Sequence, residues 1–325
     1  MKLTVHRETW PLAKTFSISR GQKQNADVVI CRLIENGIVG RGECVPYSRY
    51  GESVELTIQT INSIQPHIKT GLSFNKIQEL LPAGAARNAV DCALWDLRAK
   101  QSKKFVYELA GIDVPKPVET AYTISLDTPK KMSEEALSNS HRPLLKLKLD
   151  GKDDLDRVAA VRKHAPMSTL IVDANEGWAE EDVLPLSTKM ALLGVALVEQ
   201  PLPAGKDEIL KDIVHPLPFC ADESCHTSQN LSQLSEHYDC LNIKLDKTGG
   251  LTEALLLMKH AQKYGFDIMV GCMVSTSLSI APATLLTSTA KYVDLDGPLL
   301  LKNDRPDGLN YEDSMLNPKF EGIWG

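Results

Sequence analysis

From about residue 119 onward, short apolar runs alternate with longer stretches in which hydrophobic residues recur every three or four positions. The short runs are typical of buried strands and the longer stretches of amphipathic helices. Eight strands are predicted, at 121–126, 144–149, 169–173, 196–199, 218–222, 241–245, 267–272 and 292–295. Strands separated by helices imply parallel βαβ units, so the pattern predicts an α/β fold, a modified TIM barrel of the (β/α)7β type.

The first 115 residues follow a different pattern. Two β-rich runs, 28–33 and 38–44, flank Glu35-Asn36-Gly37, and Asn-Gly between such runs is a strong hairpin signal. Helical patterns follow at about 53–68 and 85–100. We therefore predict an α+β capping domain at 1–115 and a catalytic barrel at 116–297. Too little chain remains after the eighth strand for a full outer helix, so the tail 298–325 is expected to return to the capping domain.

Charged residues stand at or near the ends of the predicted strands. In chain order they are Lys146 and Lys148 (second strand), Asp173, Glu199 and Asp222 (third to fifth), Lys244 (sixth), and Asp294 and Asp296 (eighth). From Lys148 to Lys244 the successive steps are 25, 26, 23 and 22 residues, one βα unit each. Because the carboxyl ends of barrel strands surround one pocket, these side chains are expected to share a site.

Three of these residues, Asp173, Glu199 and Asp222, are acids on neighbouring strands. Carboxylates without His or Cys suit a hard cation, so we predict one Mg²⁺ per subunit as cofactor. A single acid at a strand end is more often a turn or cap residue, but three in successive units favour a metal site. Glu223 and Asp246 are assigned to supporting or solvent-exposed positions.

Lys148 and Lys244 are four strands apart in an eight-stranded ring, so they are expected to face each other across the pocket. Inversion of a carbon acid requires two opposed bases, because one removes the α-proton and the other returns it from the opposite face. The metal would stabilise the enediolate formed between the two steps. Desolvation and nearby cations lower the pKa of a lysine toward that of a useful base. Lys146 is expected to donate to the substrate carboxylate.

Composition narrows the possible partners and location. The chain has 325 residues and a formal net charge of −6, which argues against nucleic acid, whose phosphates need a basic surface. Seven cysteines without a C-x-x-C motif indicate free thiols in a reducing compartment. The N-terminus lacks an apolar signal segment, and the uncharged run 268–290 is interrupted by Gly271 and Pro282. We predict a cytoplasmic protein without a membrane span; whether it forms a homo-oligomer stays open.

The Lys-x-Lys of the second strand, the three acids and Lys244 resemble the enolase superfamily, specifically its muconate-lactonizing subgroup. The Asp-Leu-Asp of 294–296, the Gly-Cys-Met of 271–273 and the Arg-Tyr-Gly-Glu-Ser of 49–53 resemble the dipeptide epimerases of that subgroup. The resemblance covers essentially the whole chain. It implies interconversion of L-Ala-L-Glu and L-Ala-D-Glu, in recycling of peptidoglycan-derived peptide.

The same resemblance implies roles for further residues. The paired aspartates Asp294 and Asp296 would hold the substrate ammonium, Arg20 would hold the glutamate side chain, and Thr123 and Cys272 would line the substrate site. The barrel geometry agrees on the first point, because the eighth strand lies opposite the fourth. Two acids there suit the far end of a dipeptide whose carboxylate is on the metal. Taken alone, Arg20 in its polar loop is more typical of a solvated surface group.

Other functions stay open at this level. The same lysines and acids serve in three other enzymes: muconate cycloisomerases, o-succinylbenzoate synthases and N-acylamino acid racemases. The Asp294/Asp296 pair favours a substrate with a free ammonium, which the substrates of these enzymes lack. A Schiff-base aldolase would need one activated lysine and no metal. A non-catalytic metal-binding descendant would lack turnover. Arg49 and Tyr50 either close the site or only order their own loop.

Overall fold

The computed structural model describes residues 1–69 and 71–325, and an antiparallel sheet opens the chain. Its strands are β1 (Lys2–Ile18), β2 (Gly21–Glu35) and β3 (Ile38–Cys44). The predicted hairpin joins β2 and β3 through Asn36 and Gly37, both at positive φ, as a two-residue turn of this kind requires. The α-helices that follow are α1 (Val54–Ser63), α2 (Gln65–Ile68), α3 (Phe74–Leu80), α4 (Ala85–Ser102) and α5 (Val106–Ala110).

The helix predicted over 53–68 is wrong as one continuous element. Ser53 caps α1 by accepting a hydrogen bond from the backbone N–H of Leu56. Ile64 separates α1 from α2. Pro66 lies in the first turn of α2, where its missing N–H costs least. Inside a longer helix the same proline would remove a hydrogen bond and clash with the preceding turn.

Helix α4 lies between the first sheet and the barrel. A Cβ on Gly42 would lie 2.1 Å from the carbonyl oxygen of Ala89, so only glycine lets β3 approach the helix this closely. The polar residues Arg87, Asn88 and Asp91 of α4 are also buried, because that side of the helix bonds to the barrel.

A second sheet contains eight strands in sequence order, joined by parallel ladders. They are β5 (Tyr122–Ile124), β6 (Leu144–Lys148), β7 (Thr169–Asp173), β8 (Val195–Glu199), β9 (Phe219–Ala221), β10 (Cys240–Ile243), β11 (Asp267–Gly271) and β12 (Tyr292–Asp294). The backbone N–H of Ala121 donates to the carbonyl of Val293, which joins the first and last strands. The predicted barrel is confirmed, and each predicted strand overlaps an observed one.

Helices connect most of these strands on the outside. They are α6 (Pro129–Ser138), α7 (Asp154–His164), α8 (Glu180–Leu192), α9 (Leu231–His237), α10 (Leu245–Thr248), α11 (Leu251–Lys263) and α12 (Ser277–Ala283). Between β8 and β9 the chain forms a 3-10 helix, Glu208–Asp212, where a full α-helix was expected. The run 268–290 is divided among β11, α12 and a 3-10 helix, and none of the described helices is long and apolar enough to cross a membrane.

The tail forms a third, small antiparallel sheet. β14 (Met315–Asn317) pairs with β13 (Asn310–Glu312) and with β4 (Val118–Glu119). Near the C-terminus, Trp324 Nε1 donates to the carbonyl oxygen of Cys92 in α4 at 3.0 Å. The Trp324 contact reaches the range 1–115, whereas β4 lies within the range predicted for the barrel. The domain boundaries and the place of the tail stay predictions. All seven cysteines are free.

Candidate active site

The interior of the barrel is built from every second residue of each strand, since successive side chains point to opposite faces. Its lowest layer is apolar, formed by Ala121, Leu144, Ile171, Leu197, Cys220, Cys240 and Met269, with Tyr292 packed against it. Two residues further along the strands stand Thr123, Lys146, Asp173, Glu199, Asp222, Asn242, Gly271 and Asp294. Strand alternation thus places a polar ring above an apolar floor, at the strand ends where barrel enzymes have their sites.

Asp173, Glu199 and Asp222 meet in this ring. One carboxylate oxygen of each lies within 4.8 Å of the others, and all three residues are buried. Among the described residues nothing donates a hydrogen bond to Glu199 Oε2 or Asp222 Oδ1, although lysine ammonium groups lie 2.6 Å from both oxygens. Three buried carboxylates that offer only oxygen atoms fit a hard divalent cation such as Mg²⁺.

Lys148 and Lys244 flank the three acids. Lys148 ends β6 and Lys244 follows β10, so that β7, β8 and β9 lie between them. Lys148 Nζ lies 2.6 Å from Asp173 Oδ2, and Lys244 Nζ lies 2.5 Å from Asp222 Oδ2. Both lysines line one cavity of about 750 Å³. The structure therefore brings together the two lysines and the three acids selected from the sequence.

The charges in this cluster set its protonation. Burial works to raise the pKa of Asp173, but Lys148 and Lys146 hold it at about 2. Burial and the charge of Asp173 raise the pKa of Glu199 to about 7. Burial works to lower the pKa of Lys244, but Asp222 and Glu199 raise it above its ordinary value. These charges therefore favour the protonated form of Lys244 in this arrangement.

Asp294 and Asp296 lie on the opposite side of the ring from β8. Asp294 Oδ2 accepts a 2.7 Å hydrogen bond from Lys146 Nζ, and Asp296 Oδ2 accepts one of 2.7 Å from the backbone N–H of Thr123. Burial, and then the charge of Asp294, raises the pKa of Asp296 to about 7. Lys146 also lies 2.6 Å from Glu199 Oε2, so it is surrounded by protein acids. Donation by Lys146 to a substrate carboxylate stays a prediction.

The two positions that the resemblance placed along the substrate site lie in different cavities. Cys272, after β11, is half-buried and lines the cavity that contains Lys148 and Lys244. Thr123 is buried and lines an adjoining cavity of about 510 Å³ between β1 and α6. Phe16 belongs to both linings. Phe16 is thus the residue through which the two linings meet, and Thr123 itself contacts Asp296 through its backbone N–H.

Arg20 does not have the surroundings of a solvated surface group. It lies in the turn between β1 and β2, and 25% of its side chain is exposed. Its guanidinium donates to Glu223 Oε1 at 2.6 Å and to the carbonyl oxygen of Asn175 at 2.9 Å. Arg20, Glu223 and Asn175 line the cavity that holds Lys148 and Lys244. The capping domain therefore brings a cation to the mouth of the barrel.

A second loop of the capping domain contacts the barrel beside Arg20. Arg49 binds Glu176 through two hydrogen bonds of 2.7 Å. Tyr50 packs edge-on against His226, with 4.6 Å between ring centres. Arg49 and Tyr50 therefore do more than order their own loop.

Asp246 is buried, so a solvent-exposed position is wrong for it. Its Oδ1 accepts hydrogen bonds from the backbone N–H of Val45 and from Asn88 Nδ2, at 3.0 and 2.8 Å. Through them the segment that follows Lys244 is fixed to the capping domain.

Two polar residues of the site were missed in the sequence. Asn242 Nδ2 donates to Glu199 Oε1 at 2.7 Å, and strand alternation could have found it, because it precedes Lys244 by two positions on the same face. Lys247 is fully buried and lies 2.6 Å from Asp222 Oδ1. It belongs to the one-turn helix α10, and no strand or helix periodicity assigns it an inward direction. Both residues hold acids of the triad from outside the cavity.

The fold and the site together define a class of protein: a barrel with a capping sheet and a ring of lysines and acids. Comparison with known families identifies this class. Residues 1–111 match the N-terminal domain of the mandelate racemase / muconate lactonizing enzyme family, and residues 131–321 match the enolase C-terminal domain-like family. The chain belongs to this family, which confirms the resemblance to the enolase superfamily.

Individual relatives are similar over nearly their full length. The chain is 47% identical to L-Ala-D/L-Glu epimerase of Escherichia coli over 315 residues, covering 96% of this chain and 98% of that protein. It is 46% identical to N-acetyl-D-glutamate racemase of a Pseudoalteromonas species over 300 residues, covering 92% and 95%. A crystal structure of an enolase family member from Agrobacterium tumefaciens, with bound sodium and L-Ala-L-Glu, is 48% identical with a TM-score of 0.97, covering 99% of both chains.

Proposed function

We propose that this protein is an isomerase, a dipeptide epimerase that interconverts L-Ala-L-Glu and L-Ala-D-Glu by moving the glutamyl α-proton between two lysines. The observation that carries the proposal is the placement of Lys148 and Lys244. They line one cavity from strands separated by the three that carry the acid triad. The similarity to the L-Ala-D/L-Glu epimerase of Escherichia coli supports the same reaction.

We propose one Mg²⁺ per subunit, held by Asp173, Glu199 and Asp222. The fit rests on their buried oxygen-only donor set and on the oxygens that accept no hydrogen bond from the described residues. A dipeptide epimerase structure from Enterococcus faecalis, 29% identical with a TM-score of 0.91 and covering 99% of this chain and 98% of that one, contains Mg and L-Leu-L-Tyr. Asp173, Glu199 and Asp222 would hold the cation, whose positive charge would stabilise the negative charge that develops on the substrate as the α-proton leaves.

The chain's own residues then carry the proton. The neutral amine of one lysine takes the α-proton from its face of the substrate, and the ammonium of the other delivers a proton to the opposite face. The two amines have exchanged protonation states when the product leaves. Return of the proton from the opposite face inverts the α-carbon, whereas return from the same face regenerates the substrate. Asn242 and Lys247 keep Glu199 and Asp222 oriented during both steps.

Asp296 and Asp294 are proposed to bind the ammonium of the substrate's first residue. Both lie on the side of the ring away from Glu199, and Asp294 Oδ1 is buried without a hydrogen-bond partner among the described residues. An ammonium group offers three donors to these carboxylates. Thr123 supports Asp296 through its backbone N–H, and Cys272 lies along the cavity wall.

A second candidate function is racemisation of an N-acylated glutamate. The relative at 46% identity, N-acetyl-D-glutamate racemase, favours it. The same lysines and metal would serve, but the N-acyl group carries no positive charge for Asp294 and Asp296. The aspartates therefore separate the two candidates.

The reaction is tested by incubating the protein with Mg²⁺ in D₂O and following deuterium at the α-carbon by mass spectrometry. L,L-dipeptides, N-acetyl-L-Ala-L-Glu and N-acetyl-glutamate are compared. Exchange into L-Ala-L-Glu and its appearance as the L,D epimer support the proposal. Activity that survives EDTA would instead indicate lysine chemistry without a metal, as in a Schiff-base aldolase, and absence of turnover would indicate a non-catalytic metal-binding protein.

We propose a cytoplasmic role in recycling peptidoglycan peptides.

A further inference from the structure

Arg20 has no free hydrogen-bond donor in this structure. Its Nε and Nη2 donate to the hydroxyl of Tyr47 at 3.1 and 2.8 Å. Nη1 donates to Asn175 O at 2.9 Å and to Glu176 Oε2 at 3.2 Å, and Nη2 also donates to Glu223 Oε1 at 2.6 Å. A guanidinium has five N–H groups, and five contacts are made. A carboxylate arriving at Arg20 must therefore displace a protein acceptor.

Glu223 is the nearer of the two acids paired with Arg20, at 2.6 Å against 3.2 Å for Glu176. Glu176 is the nearer partner of Arg49, to which it makes two bonds of 2.7 Å. Glu223 has 1% of its side chain exposed and makes its ion pair with Arg20. Its second oxygen, Oε2, is buried and accepts no hydrogen bond from the described residues. The site thus holds a cation that is already paired and a carboxylate oxygen that lacks a donor.

Arg20 and Glu223 line the same cavity as Lys148 and Lys244, so a substrate side chain that reaches one meets the other. A carboxylate would add a second negative charge beside Glu223. A carboxamide carbonyl would also have to displace one acceptor of Arg20, but its NH₂ group could donate to Glu223 Oε2, the oxygen that lacks a donor. We propose that Glu223 is a specificity-determining residue. As the counter-ion of Arg20, Glu223 reduces the preference of the site for a substrate with an acidic side chain over the substrate with the corresponding amide.

Because this rests on the epimerase function proposed above, the test uses two nearly isosteric substrates, L-Ala-L-Glu and L-Ala-L-Gln. For each, kcat/KM is measured at saturating Mg²⁺ from α-deuterium uptake in D₂O. The ratio of the two values cancels any effect of a substitution on metal binding or on the lysines. Glu223→Gln removes the charge at nearly constant volume and is expected to raise the Glu-to-Gln ratio about tenfold, the effect of removing one like charge from the pocket. Glu223→Asp retains the charge and is expected to keep the ratio close to that of the wild type.

Tyr47→Phe is the matched control. It removes the hydroxyl that anchors two donors of Arg20 without changing any charge, so the ratio is expected to change less than about twofold. An unchanged or lower ratio in Glu223→Gln would overturn the assignment and show that Glu223 only orients Arg20. An equal rise of the Glu-to-Gln ratio in Tyr47→Phe would also overturn the assignment. In that case the anchoring of Arg20, and not the charge of Glu223, would decide the selectivity. If the wild type exchanges neither dipeptide, the proposed function fails; if it exchanges them and the ratio does not move, only the role of Glu223 fails.

Discussion

Lys146 and Asp294 form a buried ion pair, with 2.7 Å between Nζ and Oδ2, that connects β6 to β12 inside the barrel. Burial works to lower the pKa of Lys146, but Asp294 and Glu199 raise it well above its ordinary value. Lys146 is therefore a fixed positive charge that compensates Asp294. Among the described residues no lysine or arginine forms an ion pair with Asp296, which accepts a hydrogen bond from the backbone N–H of Thr123. The two aspartates, equivalent in the sequence, are unequal in the structure.

This inequality predicts different defects for Asp294→Asn and Asp296→Asn. Asp296→Asn is expected to lose at least about tenfold in the preference for a free N-terminus, because the ammonium loses charge-assisted hydrogen bonds. Asp294→Asn is expected mainly to lower kcat, since Lys146 loses the partner that holds it. The measurement compares kcat and kcat/KM for L-Ala-L-Glu, and kcat/KM for N-acetyl-L-Ala-L-Glu, in both variants. Equal use of the two compounds by the wild type would contradict the ammonium site and favour an N-acylamino acid racemase.

The acid triad predicts loss of metal binding and turnover together. Asp173→Asn, Glu199→Gln and Asp222→Asn each remove one anionic ligand from a set whose oxygens lie within 4.8 Å. We expect a weaker apparent Mg²⁺ affinity and a lower exchange rate in each variant, both measured by titrating Mg²⁺ into EDTA-treated protein. Asp313→Asn is a suitable control, because 82% of that side chain is exposed and it lines neither cavity of the site. A triad variant with wild-type activity at limiting Mg²⁺ would not be a ligand.

The barrel could be predicted from sequence because its two signals are local. Short apolar strands and acids one βα unit apart place Asp173, Glu199 and Asp222 at successive strand ends. In the structure these strands are the neighbours β7, β8 and β9. Lys148 and Lys244 followed from the same spacing. That these side chains point into the barrel could then be predicted from the two-residue alternation of side chains along a strand.

Contacts between the capping domain and the barrel could not be predicted in this way. Asn88 and Asp246 are far apart in the chain, and each is a polar residue that local patterns assign to the surface. They meet because α4 is covered on both sides, a property of tertiary packing that helix periodicity does not encode. Arg20 is a similar case, since its partner Glu223 lies 203 residues further along the chain.

Asp246 predicts a pH-dependent stability. Burial raises its pKa from the ordinary 3.8 to about 7 in the folded protein. Between these values the folded state holds a proton that the unfolded chain has released, so stability from this group is present at low pH and is lost as the pH rises through about 7. Asp246→Asn cannot ionise, and its amide oxygen can still accept from Val45 and Asn88.

We therefore expect Asp246→Asn to gain stability over the wild type as the pH rises. Between pH ~4.5 and ~8 the difference in free energy of unfolding should grow by on the order of 1 to 3 kcal/mol in favour of the variant. Urea unfolding followed by circular dichroism at both pH values measures it, with Asp313→Asn as the exposed control. A difference that is the same at both pH values would show that Asp246 stays ionised in the folded state.

The opposed lysines make the final prediction, because they divide the reaction by stereochemistry. In the proposed mechanism each amine would face one side of the α-carbon, so each would remove the proton of one epimer only. Lys148→Ala is expected to slow epimerisation by at least ~10² to 10⁴, the usual loss for a general acid or base, while Lys244 still exchanges the α-proton of one epimer with solvent. Lys244→Ala should show the opposite preference.

Each variant is incubated separately with L-Ala-L-Glu and L-Ala-D-Glu in D₂O, and deuterium at the glutamyl α-carbon is followed by mass spectrometry. Lys247→Ala serves as the comparison, because Lys247 Nζ is buried against Asp222 and Asn242 and does not line the cavity. Loss of Lys247 should slow exchange of both epimers alike, since it disturbs a metal ligand that both half-reactions share. Exchange of the same epimer by Lys148→Ala and Lys244→Ala, or wild-type epimerisation in either, is incompatible with a proton passed between two faces.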